Sequence, residues 1–139
     1  MRRVFADSGF WIALRNKGDR FHDRSRQLVQ WVAHNKCVLF VTPFIFGETQ
    51  AFFSRSPTAL KRVVLRDFWE NPIVKIEQPS FEDQKQAIEI LRQQEDKGYS
   101  FADAVSFSVM MRMKLPDVIS YDRHFQQFGL FNVIDGSKL

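Results

Sequence analysis

Cysteine is nearly absent: Cys37 is the one thiol in 139 residues, so no internal disulfide can form and a cross-linked secreted scaffold is excluded. It heads an apolar run, which fits a reducing, cytoplasmic setting. Glycine and proline are sparse, at 6 and 5 residues. There is no Gly/Ser linker, no Pro-rich tract and no block of like charge, so nothing reads as disordered. No segment recurs at a period of about 20–50 residues, which excludes a solenoid. No apolar run approaches the roughly 20 residues that cross a bilayer. Asp7, Arg15, Lys17 and Asp19 interrupt the start too early for a signal sequence. No membrane association is expected.

What is present is a core. The chain is 45% hydrophobic, with 15 Phe, and its length predicts one domain over residues 1–139. Net charge is +4 and the isoelectric point is near 9.5, a weak pull toward anionic partners.

The first ten residues set the pattern. Val4, Phe5 and Ala6 form a short apolar run that ends at Asp7, as a buried strand does. Asp7-Ser8-Gly9 turns the chain into a helix with Phe10, Trp11, Ala13 and Leu14. After a polar break at 19–22, Leu28, Val29, Trp31 and Val32 mark a second helix to about Lys36. Residues 37–41 read as the second strand. Thr42-Pro43 starts a helix, Thr as cap and Pro where its missing N–H costs nothing. That helix carries Phe44, Ile45, Phe46, Glu48, Phe52 and Phe53, apolar almost all round. Another helix over about 57–70 stops before Pro72, and 73–76 is a third strand. Ser80-Phe-Glu-Asp83 and Ser100-Phe-Ala-Asp103 have capping-box spacing and open helices running to 97–98 and to Pro116. Residues 118–121 and 131–134 are the last strands, with a short helix to Gly129 between them. Strands alternating with helices predict an α/β fold, a mostly parallel sheet of about five strands covered by helices on both faces.

Asp7 and Asp122 close two of the strands, and adjacent strand ends in a parallel sheet lie about 5 Å apart. Asp103 opens the helix leading to the strand that ends at Asp122. Glu48 lies about two turns into the helix after the second strand. All four acids therefore fall near one sheet edge, where open α/β sheets bind ligands. Four clustered carboxylates repel unless a cation neutralises them, and hard oxygen ligands suit Mg²⁺ or Mn²⁺. The plainer readings are helix caps for Asp7 and Asp122 and a capping-box acid for Asp103. Glu48 interrupts an apolar helix, where an unpaired buried carboxylate costs several kcal/mol; its plainer reading is an ion pair with Arg55 or Arg112.

The strings Val4-Phe-Ala-Asp7-Ser-Gly-Phe-Trp-Ile-Ala-Leu14, His22 and Thr42-Pro-Phe-Ile-Phe-Gly-Glu48-Thr49 resemble the amino-terminal half of a PIN-domain nuclease. Lys97-Gly-Tyr-Ser-Phe-Ala-Asp103-Ala-Val-Ser106 and Ile119-Ser-Tyr-Asp122-Arg-His-Phe-Gln-Gln-Phe-Gly129 resemble its carboxyl-terminal half. The nearest flavour is the VapC-type toxin of bacterial and archaeal toxin–antitoxin modules. The resemblance implies a PIN-like domain whose acidic quartet is Asp7, Glu48, Asp103 and Asp122, with small hydroxyl residues at Ser8 and Ser120.

The implied reaction is metal-assisted hydrolysis of an RNA phosphodiester, with Mg²⁺ (Mn²⁺ as the alternative ion) as cofactor. Asp7, Asp103 and Asp122 would hold the metal, Glu48 would bind metal or orient the attacking water, and Ser8 and Ser120 would support the carboxylates. His22 and His124 read as surface residues at turns with no catalytic part. Arg15, Lys17, Arg20, Arg24 and Arg26, with Arg123 beside Asp122, are the candidate RNA contacts, their plainer reading being solvated helix faces. With the four site acids set aside, 20 basic residues face the 12 acids that remain of 16. The surplus of aromatics at 43–70 suggests an exposed apolar groove, hence a homodimer surface or a docking site for a partner helix. In the resembling family that partner is an antitoxin. The competing expectations are a PIN nuclease of RNA processing or decay without an antitoxin, and a non-catalytic PIN-like binding module.

Overall fold

The computed structural model describes residues 1–139. Five parallel strands form one sheet in the order β3-β2-β1-β4-β5: β1 Arg2–Ala6, β2 Cys37–Val41, β3 Val74–Ile76, β4 Asp117–Ile119 and β5 Asn132–Ile134. The helices are α1 Ser8–Arg15, α2 His22–His34, α3 Pro43–Phe52, α4 Thr58–Trp69, α5 Phe81–Gln93, α6 Phe101–Arg112 and α7 Arg123–Phe128. From β1 the chain steps outward to β2 and β3, then crosses back to β4 on the other side of β1. Right-handed crossovers of opposite direction put their helices on opposite faces. Packing follows that rule: α1 meets α2 and α3 on one face, α5 meets α6 on the other. The expected α/β sheet of five strands, with helices on both faces, is what forms.

Local chemistry explains most boundaries. The Thr42 side chain accepts from Ile45 N, and Pro43 takes the first turn of α3. Both capping boxes are complete, Ser80 with Asp83 and Ser100 with Asp103. Three details differ from the sequence reading. The first strand begins at Arg2, but its two arginines are exposed and only residues 4–6 are buried. The helix opened at Ser80 stops at Gln93, and a separate 3₁₀ turn, Glu95–Lys97, ends at left-handed Gly98 (φ 71°). The fourth strand ends at Ile119, which frees Ser120, Tyr121 and Asp122 to form a loop over the sheet edge.

The phenylalanines divide between the two faces. Trp11, Phe46 and Phe68 interlock beneath α1, α3 and α4. On the other side, Phe107 is fully buried against Tyr99, Phe125, Phe128 and Phe131. These clusters clamp α1 and α6 to the sheet, and both helices start at the same edge. The helix at 43–53 is less buried than its composition predicts. Within α3 only Ile45 and Thr49 are fully enclosed, and Phe52 is 55% exposed.

Candidate active site

The reversal of strand order falls between β1 and β4, and the loops after these two strands carry Asp7 and Asp122. A switch point of this kind opens a crevice at the carboxyl ends of the strands. Asp7 sits at the N-cap position of α1, yet its side chain makes no capping bond. Its carboxylate Oδ2 instead accepts from the Ser120 hydroxyl at 3.1 Å. Asp7 N donates to Ile119 O at 3.0 Å, so the residue is pinned to β4 from both ends. Ser120 Oγ also accepts from Asp122 N at 3.0 Å, which ties the two acids through one hydroxyl.

Asp103 and Asp122 each cap a helix and also meet at one imidazole. Asp103 Oδ2 accepts from Ser100 N at 3.0 Å, completing the capping box. Asp122 Oδ1 accepts from His124 N at 2.9 Å, capping α7. The same two oxygens face the His124 imidazole, whose Nδ1 is 2.9 Å from Asp103 Oδ2 and 3.4 Å from Asp122 Oδ1. One ligand atom from each of Asp103, Asp122 and His124 lies within 4.8 Å of the others, a set able to hold a metal ion.

Electrostatics joins the remaining acids to this group. Asp7 is 5% exposed, and its carboxyl is pushed up to about 7, chiefly by burial. Asp103, Asp122 and Glu48 add negative charge in the same direction, against a Ser8 backbone hydrogen bond. The Glu48 carboxyl is also raised, first by partial withdrawal from water and then by Asp103, with a Ser8 hydroxyl bond opposing. The structure corrects the placement of Glu48 in an apolar interior: it stands on the exposed face of α3, toward the acids. Its suggested partner Arg112 is engaged elsewhere, with Asp83 and Glu77. Oxygen-rich, mutually repelling and partly dry, the cluster suits a divalent cation.

The basic residues separate into tied and free. Arg15 is tied: its guanidinium grips Asp67 through two bonds of 2.7 and 2.6 Å, joining α1 to α4. Lys17 lines a cleft of about 670 Å³ with His22 and Arg26, away from the acids. Arg123 opens α7 beside Asp122 and is exposed. Arg20 is exposed above the ring of Phe21. His22 opens α2, half-buried, and its Nδ1 meets the Ala13 carbonyl at 2.8 Å. The placement of His124 at a surface turn is corrected: it lies between two site carboxylates and is only 18% exposed at the side chain. One signal was available, since a residue two beyond an N-cap acid bonds that acid through its backbone N–H and so starts out on the cap's side.

A family model described as PIN domain matches residues 4–130. The 23S rRNA-specific endonuclease VapC20 of Mycobacterium tuberculosis is 29% identical over 130 residues, covering 94% of this chain and 97% of the relative. The crystal structure of that protein, described as a sarcin–ricin loop cleaving toxin, is similar at a TM-score of 0.79 and 26% identity, covering 91% of this chain and 95% of its own. VapBC2 from Rickettsia felis, bound to a promoter DNA fragment, gives 0.71 at 14% identity, with 95% and 97% covered. FitAcB from Neisseria gonorrhoeae gives 0.69 at 12% identity, with 98% and 99% covered. These last two share the fold.

Proposed function

The chain belongs to the PIN-domain family, and from that premise we propose that it is a divalent-metal-dependent endoribonuclease, the toxin of a toxin–antitoxin pair. The observation that carries this reading is the convergence of Asp7, Glu48, Asp103 and Asp122, whose charges act on one another across four separate elements. The relatives named for ribosomal RNA cleavage support RNA as the substrate.

Asp7, Asp103 and Asp122 would hold the cation, Mg²⁺ or Mn²⁺; of these, Asp103 and Asp122 already stand with His124 in one group of metal-binding size, and Asp7 lies outside that group. When bound, such an ion supplies Lewis-acid polarisation of the phosphodiester and of the attacking water. Ser120 fixes one oxygen of Asp7 by hydrogen bond and so decides which oxygen remains free. Glu48, raised in basicity by partial burial and by Asp103, orients the water and takes its proton. Ser8 steadies the Glu48 carboxyl. Arg20, Lys17 and Arg123 remain the candidate phosphate contacts.

The partner would dock where α3 and α4 leave apolar surface uncovered. Phe52, Leu65 and Trp69 are 55%, 45% and 60% exposed there, beside a cleft of about 300 Å³ lined by Phe53, Val64 and Leu65. An antitoxin segment is the proposed occupant, and a second copy of the chain would use adjoining surface. On this reading one domain over residues 1–139 would carry both the acid site and the docking surface. No helix is long and apolar enough to cross a membrane, and a cytoplasmic location is proposed with the RNA substrate.

Cleavage of ribosomal RNA with and without Mg²⁺ or Mn²⁺ tests the function, comparing the native chain with Asp7→Asn and Asp103→Asn. Cutting that requires the ion and both acids is expected. Activity that survives EDTA, or survives both substitutions, sinks the metal mechanism. RNA or partner binding without any cleavage instead favours a binding module.

A further inference from the structure

Beside the acids stands a column of four side chains that the cleavage reaction does not use. At its base, Ser25 is fully buried and donates its hydroxyl to the Phe10 carbonyl at 3.1 Å. That leaves the Tyr121 hydroxyl as the donor in its 2.6 Å contact with Ser25 Oγ. The anchored Tyr121 ring carries Phe21, stacked at a centroid distance of 4.3 Å and an angle of 16°. Above Phe21 lies the Arg20 guanidinium, its carbon 4.4 Å from the ring centroid. Phe21 is itself held, since its N–H donates to Asp19 Oδ1 at 2.8 Å in a short side-chain turn.

The column is part of the rim of the site. Tyr121 lies in the chain between Ser120, which bonds Asp7, and Asp122, which caps α7. The start of α1 leans on the same ring, and a Cβ added at Gly9 would come within 3.9 Å of it. Arg15 and Arg112 are consumed by carboxylates, whereas Arg20 makes no ion pair and is exposed. An exposed guanidinium held over a ring, here with the Arg24 guanidinium carbon 5.6 Å from the same centroid, can offer its N–H edges and its outer face to a ligand. Those are the two features that a phosphate and an unstacked base require.

We propose that Arg20, carried on the Phe21–Tyr121 column, grips RNA next to the bond that is cut, with its N–H edge on a phosphate and its outer face under an unpaired base. The proposal rests on the nuclease reading of the acid site and adds a preference: RNA loops and single strands over duplex, whose bases are already stacked. Because the ring beneath it limits where the guanidinium sits, the side chain gives up less freedom on binding than a loose surface arginine does.

Fluorescence anisotropy in EDTA reads binding without cleavage. The probes are a fluorescein-labelled sarcin–ricin-loop RNA and a fully paired RNA duplex of the same length, with Arg20→Ala, Arg20→Lys and Phe21→Leu beside the native chain. Native protein should prefer the loop. Loss of one stacking contact in Arg20→Ala should weaken loop binding about tenfold. The slope of log affinity against log salt should fall by about one contact. Phe21→Leu, which removes no charge, should also weaken the loop complex. Arg20→Lys should restore the salt slope without the affinity, because an ammonium has no plane. Full rescue by lysine, an unchanged Phe21→Leu complex, or equal binding of duplex and loop overturns the proposal. Arg20 is at the surface, so the lysine comparison stands even if Phe21→Leu unfolds on heating. Failure of the native chain to cleave would sink the nuclease reading instead, and would leave this binding result standing.

Discussion

Nδ1 of His124 lies 2.9 Å from Oδ2 of Asp103, the same oxygen that closes the capping box of α6. Asp122 Oδ1 is 3.4 Å from that nitrogen. An imidazole placed between two carboxylates gives them a hydrogen-bond donor or a positive charge to face, so the cluster is sustainable in the free protein. The twin capping box shows the alternative outcome. Asp83, in the same local geometry, turns to Arg112 and becomes a purely structural ion pair.

His124→Ala is expected to lower Mn²⁺ affinity, and cleavage with it, by about 10–100-fold, the usual consequence of losing a group that orients metal ligands. Titration calorimetry with Mn²⁺ on the RNA-free protein separates this from a defect in substrate binding. An unchanged Mn²⁺ affinity would make the histidine a bystander.

The burial and charge around Asp7 predict an inverted pH dependence of stability in EDTA. The folded carboxyl titrates at about 7 against the ordinary 3.8. Between those values the folded protein keeps a proton that the unfolded chain has lost. That contribution is complete below about 3.8 and is lost as pH rises toward 7, by at most about 1.4 kcal/mol per pH unit. Urea unfolding from pH 5 to 8 should show this decline in the native chain and not in Asp7→Asn. The variant should remain folded and fail to cleave RNA. Adding a divalent cation should counter the decline, since it favours the ionised cluster.

Arg112→Ala should destabilise the protein by about 2–3 kcal/mol, because it strands a buried carboxylate. Arg112 Nε contacts both oxygens of Asp83, at 3.0 and 2.9 Å, and Nη2 reaches Glu77 at 3.1 Å. Denaturant midpoints measure the loss. Cleavage per folded molecule should be preserved, since neither carboxylate belongs to the acidic quartet.

Arg15→Ala separates structural from substrate charge. Its bidentate pair with Asp67 is half-buried, so removal should cost about 1–3 kcal/mol of stability and leave RNA affinity unchanged. A drop in affinity comparable to that of Arg20→Ala would restore Arg15 to the RNA-contacting set.

Much of the architecture was legible in the chain because it depends on neighbours within a few residues. The second strand, Cys37–Val41, was readable to the residue from its apolar run. Thr42-Pro43 and the two Ser-x-x-Asp boxes announced their helices, since a cap bonds backbone two or three positions away. The alternation of these elements then left few topologies open, and a parallel sheet in the order β3-β2-β1-β4-β5 is the one observed.

The sequence by itself determined the α/β order of elements, the helix caps and the four acids brought toward one sheet edge. Spacing could not say whether Asp103 and Asp122 were caps or site ligands, and they are placed for both. Only the tertiary structure decided that Glu48 faces water and the cluster, that Arg15 is spent on Asp67, that His124 bridges two acids, and that Arg20 rides on Phe21. The reason is range. A cap is settled within one helical turn, whereas the Ser120–Asp7 hydrogen bond joins residues 113 positions apart. Which side chains share such a contact depends on how the sheet is ordered and how its two faces are packed, and periodicity along the chain carries no record of either.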